Sequence, residues 1–74
     1  MEPESFRRFL ASRGYRLLKS RPSGVEFWIR SGDAAPVSFY GEGPLLPREL
    51  GKIIGAMGLE LKVLGEWRSA NERK

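Results

Sequence analysis

Leu46, Leu50, Ile53, Ile54 and Met57 recur at i, i+4, i+7, i+8 and i+11, the repeat of one face of an α-helix. No other stretch is as strongly periodic, and Pro47 suits the first turn of such a helix. Val37-Ser-Phe-Tyr40 ahead of it reads as a short strand, and Gly41-Glu-Gly-Pro44 as the loop between the two. Pro36 to Leu59 is therefore strand, loop and amphipathic helix, with the apolar face directed at a core. Gly51, Gly55 and Gly58 share a second face of the helix, at about 100° per residue. Gly58 suits a C-terminal cap. An interior glycine costs roughly 1 kcal/mol relative to alanine. Gly51 and Gly55 are thus expected where another backbone approaches closely, from within the domain or from a ligand or partner.

The remainder supplies elements to pack on that helix. Pro3, with Glu2 and Glu4 near the positive end, opens a helix over about residues 3–13. Its apolar stripe is Phe6, Phe9 and Leu10, and Gly14 ends it. Tyr15–Ser20 and Val25–Arg30 read as strands joined through Pro22-Ser23-Gly24, and Ser31-Gly32-Asp33 turns the chain towards Val37–Tyr40. Short connections make an antiparallel meander the economical topology. After Gly58, the alternation of Leu59, Leu61 and Val63 points to a fourth strand, against the helix-forming character of Glu60, Leu61, Lys62 and Leu64. The expected fold class is α+β: a three-stranded antiparallel sheet with helices on one face and an extra C-terminal strand. One domain spans 1–67, and a charged tail spans 68–74.

At 74 residues such a domain buries only about 60% of the surface its unfolded chain exposes. The chain has neither Cys nor His, so disulfides are excluded and a structural zinc lacks its usual ligands. Neither a metal nor another cofactor is expected. The lack of cysteine suits an intracellular protein. No apolar run is long enough to span a bilayer, and the charges within Met1–Leu10 do not fit a signal peptide. The expected location is the cytoplasm, with no membrane partner.

Net charge is +4, and its distribution is uneven. Arg7, Arg8, Arg13, Arg16, Lys19 and Arg21 follow one another with no acid among them. A basic run of this kind can face the phosphates of a nucleic acid or simply be solvated.

Several short motifs carry a resemblance. Ser23-Gly24-Val25 stands at a loop opening the second strand, and Val37-Ser38-Phe39 forms the third. Leu46-Pro47-Arg48-Glu49-Leu50 starts the helix, and Ile53-Ile54 with Met57-Gly58-Leu59 closes it. Over roughly residues 5–59 the chain resembles the HicA-type (YcfA-like) toxins, mRNA interferases held by an antitoxin. The resemblance implies a fold like the double-stranded-RNA-binding domain, α-β-β-β-α, and an RNA or antitoxin-like protein partner. It does not carry the family's chemistry, because the catalytic residue of those toxins is a histidine in the loop before the second strand. In a fold of that kind, Arg7, Arg8, Arg13, Arg16, Lys19 and Arg21 are the expected contacts to RNA, which is read by shape and 2′-hydroxyls.

No catalytic residue is assigned. Glu26 with Arg21 is chemically able to cleave RNA, but a general base needs a raised pKa, and the alternation of the strand places Glu26 with Trp28 and Arg30 on a solvated face. Serines have no histidine for a triad, and Gly41-Glu-Gly43 is too short to cradle phosphates. If Val25, Phe27 and Ile29 face the helices, then Leu18, Trp28, Arg30 and Tyr40 share an open sheet face suited to a contact. The first expectation is a non-catalytic RNA-binding or regulatory module. The alternative is a protein-interaction module, docking an antitoxin-like partner or a second copy through that face without binding nucleic acid. A ribonuclease with rearranged chemistry ranks third.

Overall fold

The computed structural model describes residues 1–72 and has the element order α1 (Pro3–Ser12), β1 (Tyr15–Ser20), β2 (Val25–Arg30), β3 (Val37–Tyr40), α2 (Pro47–Ala56) and α3 (Leu61–Asn71). The three strands form one antiparallel sheet in chain order, as the short connections require. The fold is α+β, with α-β-β-β-α followed by a third helix. No helix among the described residues is long and apolar enough to cross a membrane.

The core lies between the sheet and the helices. Phe6, Phe9 and Leu10 of α1 are fully buried, and the Phe6 ring meets Phe39 of β3 edge-to-face at 5.1 Å. Leu50, Ile54 and Met57 of α2 complete this layer, and Ile53 flanks it. Leu46 departs from the expected stripe: it stands just outside α2 and is exposed, and Leu45 is buried in its place. Leu45 is held there by two backbone hydrogen bonds with Met1, its N–H to the Met1 carbonyl at 2.7 Å and its carbonyl from the Met1 nitrogen at 3.0 Å. At the start of α2, the Glu49 carboxylate accepts from the Leu46 N–H at 2.9 Å, which satisfies a donor left free by the helix.

The strand expected at residues 59–67 is helical. Gly58, at φ +77°, closes α2 with a paired cap: its N–H donates to Gly55 O at 3.0 Å and the Leu59 N–H to Ile54 O at 3.1 Å. α3 follows at once. Along it Leu64 is buried and Val63 and Trp67 partly so, one turn apart, and the Trp67 ring stands edge-to-face on Phe9 at 5.6 Å. The alternation of Leu59, Leu61 and Val63 lost to helical spacing because Val63, Leu64 and Trp67 can reach one surface only on a helix. Arg68–Asn71, expected in the tail, belong to α3, and residues 73–74 of that tail lie outside the described residues.

The faces of β2 are the reverse of the expectation. Trp28 pairs with Val37, and Glu26 with Phe39, so both share the core side with those two buried residues. Trp28 is only 9% exposed. Val25, Phe27 and Ile29 take the open side. Gly51 and Gly55 also differ from expectation, since nothing lies within 4 Å of the position of a Cβ at either. Among the described residues, no backbone beyond the helix itself approaches them.

Candidate nucleic-acid interface

Residues directly opposite each other on paired strands share a face. Arg16 stands opposite Ile29, Lys19 opposite Phe27, and Val25 opposite Tyr40, all on the side away from the helices. The register slips between Leu17 and Lys19, which leaves Leu18 as an extra residue in the edge strand. Such a bulge twists an edge and discourages pairing with another strand. Leu17 and Leu18 are both about half exposed beside it.

The six basic residues do not form one surface. Arg7 turns inward between α1 and the sheet, where its Nη2 donates to Glu26 Oε2 at 2.5 Å and to the Gly41 carbonyl at 2.9 Å. Arg8 pairs with Glu72 at 2.6 Å. Arg13 caps α1. Arg16, Lys19 and Arg21 remain, on β1 and the turn after it. Among the described residues these three make no ion pair. Lys19 Nζ and the Arg21 guanidinium both sit over the Phe27 ring, at 5.4 and 5.3 Å from its centre.

The four residues expected at an interaction face also separate. Tyr40 is half exposed on the open side and Leu18 is exposed at the bulge. Trp28 is in the core. Arg30 is on the core side, paired with Asp33 at 3.3 Å and set 5.3 Å over the ring of Tyr15, whose hydroxyl is pushed above its ordinary pKa chiefly by burial. Phe27 replaces Trp28 as the aromatic of the open face and was missed. The one sequence signal for it is the Arg7–Glu26 charge complement: an acid on β2 that pairs with α1 places Glu26 and Trp28 inward and Phe27 outward.

Tyr40 is positioned by Gly24. This glycine has φ +100° in the β1–β2 turn, a conformation L side chains rarely adopt. A Cβ there would also stand 2.8 Å from Tyr40 Cε1 and 3.1 Å from Glu42 Cγ. The backbone of the turn thus makes room for the Tyr40 ring and brings the Glu42 carboxylate to the same end of the face.

Glu26 is not poised as a base. Hydrogen bonding from Arg7 holds its carboxyl below the ordinary value, reinforced by Trp28 Nε1 at 3.0 Å, and burial opposes this only in part. A carboxylate so stabilised takes up a proton less readily.

No family model, curated protein or solved structure matches the chain.

Proposed function

We propose that this protein is a non-catalytic RNA-binding module. The observation that carries the proposal is the set Arg16, Lys19 and Arg21, three cations without carboxylate partners among the described residues, on the same sheet face as the half-exposed Tyr40 ring and the partly buried Phe27 ring. Phosphate oxygens are the ligands such cations attract, and aromatic faces accept bases. The absence of histidine from the whole chain and the stabilised anionic state of Glu26 support binding without cleavage. The HicA-like motifs agree with an RNA partner and with loss of the toxin chemistry.

The test is an electrophoretic shift of mixed-sequence RNA over a salt series, with the RNA recovered and sized. A shift that weakens steeply as salt rises, with intact RNA, is expected. No shift at low salt overturns RNA binding, and RNA shortening that disappears in Glu26→Gln overturns the non-catalytic assignment.

Leu18 at the bulge and Tyr40 on the open face, each about half exposed, favour a second reading as a protein-docking module. Light scattering at high concentration separates a self-associating chain from a monomer awaiting another partner.

A further inference from the structure

We infer that the open sheet face binds nucleic acid as a single strand, with bases stacked on Phe27 and Tyr40 and phosphates on Arg16, Lys19 and Arg21. The inference rests on the RNA-binding proposal and narrows it to one surface and one strand state.

Phe27 pairs with Ser38, so Tyr40, two residues further along β3, is its diagonal neighbour on the same face. Diagonal neighbours stand about 7–8 Å apart, within joint reach of two successive splayed bases. Neither ring belongs to the core; Tyr40 packs against Gly24, and Phe27 lies beneath Lys19 and Arg21. Side chains fixed before binding lose little freedom on binding.

Charge selects the occupant. A second copy of this chain laid face to face with β1 on β1 would bring Arg16, Lys19 and Arg21 against their own counterparts, an unfavourable like-charge contact. A polyanion meets the same three cations favourably. An A-form duplex keeps its bases inside the stack and offers sugars, phosphates and groove edges, leaving Phe27 and Tyr40 without a stacking partner. A single strand offers free π-faces. Lys19 and Arg21 lie over Phe27, so a base reaching that ring displaces them, and the displaced cations stand beside its phosphates. Glu42 marks the unfavourable end of the face, beside Gly24 and Tyr40.

The test is fluorescence anisotropy with labelled oligouridine of about ten nucleotides and an RNA duplex of equal length, with polyglutamate as competitor. The variants are Phe27→Leu, Tyr40→Ala, Tyr40→Phe and Glu42→Gln, each checked for an unchanged melt. Oligouridine is expected to bind more tightly than duplex, with a slope of log K against log salt of about −2 for three phosphates. Phe27→Leu and Tyr40→Ala should each weaken it about tenfold. Tyr40→Phe should bind like the wild type, and Glu42→Gln more tightly. Duplex binding as tight as single strand, or RNA binding untouched by Phe27→Leu and Tyr40→Ala, overturns this inference and leaves RNA binding in place. Loss in Tyr40→Phe equal to that in Tyr40→Ala overturns stacking at that ring. Competition by polyglutamate as strong as that by unlabelled oligouridine assigns the face to an acidic protein instead. Absence of binding to either RNA removes the parent proposal as well.

Discussion

Arg7 and Glu26 join α1 to the middle strand through a forked contact, with Nη2 donating to Oε2 at 2.5 Å and Nε to Oε1 at 3.1 Å. Trp28 Nε1 donates to the same Oε1, and Arg7 reaches the Gly41 carbonyl where β3 ends. One partly buried carboxylate therefore ties helix, strand and loop together. The two partners agree in direction: Glu26 is held below its ordinary pKa and Arg7 above its own, each first by the hydrogen bond to the other.

Glu26→Gln keeps the shape and removes the charge, leaving Arg7 poorly matched. The expected cost is about 2 kcal/mol for a charged hydrogen bond, which in a domain this small lowers Tm by about 10 °C. Its pH dependence follows from the depressed pKa. The stabilisation is complete above the unfolded value of 4.5 and is lost as pH falls from there through the lower folded value. Thermal melts of wild type and Glu26→Gln should therefore converge as the solution is acidified, and a constant gap between them would count against this role.

Gly41→Ala tests the same contact from the opposite side. A Cβ at Gly41 would overlap Glu26 Oε2 and stand 2.9 Å from Arg7 Nη2, so the forked pair must open. Gly41→Ala is expected to destabilise by about as much as Glu26→Gln, in the range of 2 kcal/mol. The double variant should lose clearly less than the two single losses combined, because both act on one interaction. Additive losses in denaturant titration would separate the two sites.

On α2, Gly51→Ala and Gly55→Ala each meet open space and helical backbone. Each is expected to stabilise the fold by about 1 kcal/mol. Gly58→Ala also meets open space, but at φ +77° a side chain strains the cap, and a loss of about 1 kcal/mol is expected. Opposite signs in urea unfolding distinguish helix propensity from cap geometry. Gains at Gly51 and Gly55 with RNA binding unchanged would also exclude a partner backbone at that face.

On α3, Leu64 is buried, and Trp67 covers the Phe9 ring of α1. Leu64→Ala is expected to cost about 2–5 kcal/mol, and Trp67→Ala should lower the melt by a smaller margin because Trp67 is only partly buried. A protein whose melt is unaffected by Leu64→Ala would have α3 standing off the domain.

The boundaries of the three strands were legible because glycine and proline punctuate them at Gly14, Pro22-Ser23-Gly24, Gly32 and Pro36. These residues act locally, through backbone geometry, and need no knowledge of the fold. The faces of β2 were not legible in the same way. Both alternating sets of Val25–Arg30 contain large apolar groups, and three apolar residues against one favoured Val25, Phe27 and Ile29 as the inner set. The inner set is fixed instead by long-range pairing, Trp28 with Val37 across β2–β3 and Glu26 with Arg7 on α1. That reversal also redrew the candidate site: it removed Trp28, introduced Phe27, and placed Arg16 and Lys19 beside the new aromatic while committing Arg7 to the interior. The C-terminal segment failed for a related reason, since what makes residues 61–71 a helix is the surface of α1 and α2 that Leu64 and Trp67 cover.

Substitution on the two sides of β2 tests the reversal directly. Trp28 is almost wholly buried among Val37, Phe39 and the helices and hydrogen-bonded to Glu26, so Trp28→Ala removes core volume and a polar tie together. Such losses cost about 3–5 kcal/mol, a large share of the whole stability of a domain of this size. Phe27 faces outward beneath Lys19 and Arg21, and Phe27→Ala leaves no enclosed cavity. Its expected cost is about 1 kcal/mol, drawn from cross-strand and cation–π contacts. Circular dichroism melts should therefore show Trp28→Ala largely unfolded at temperatures where Phe27→Ala remains folded. The opposite order would return Trp28 to the surface and put Phe27 in the core.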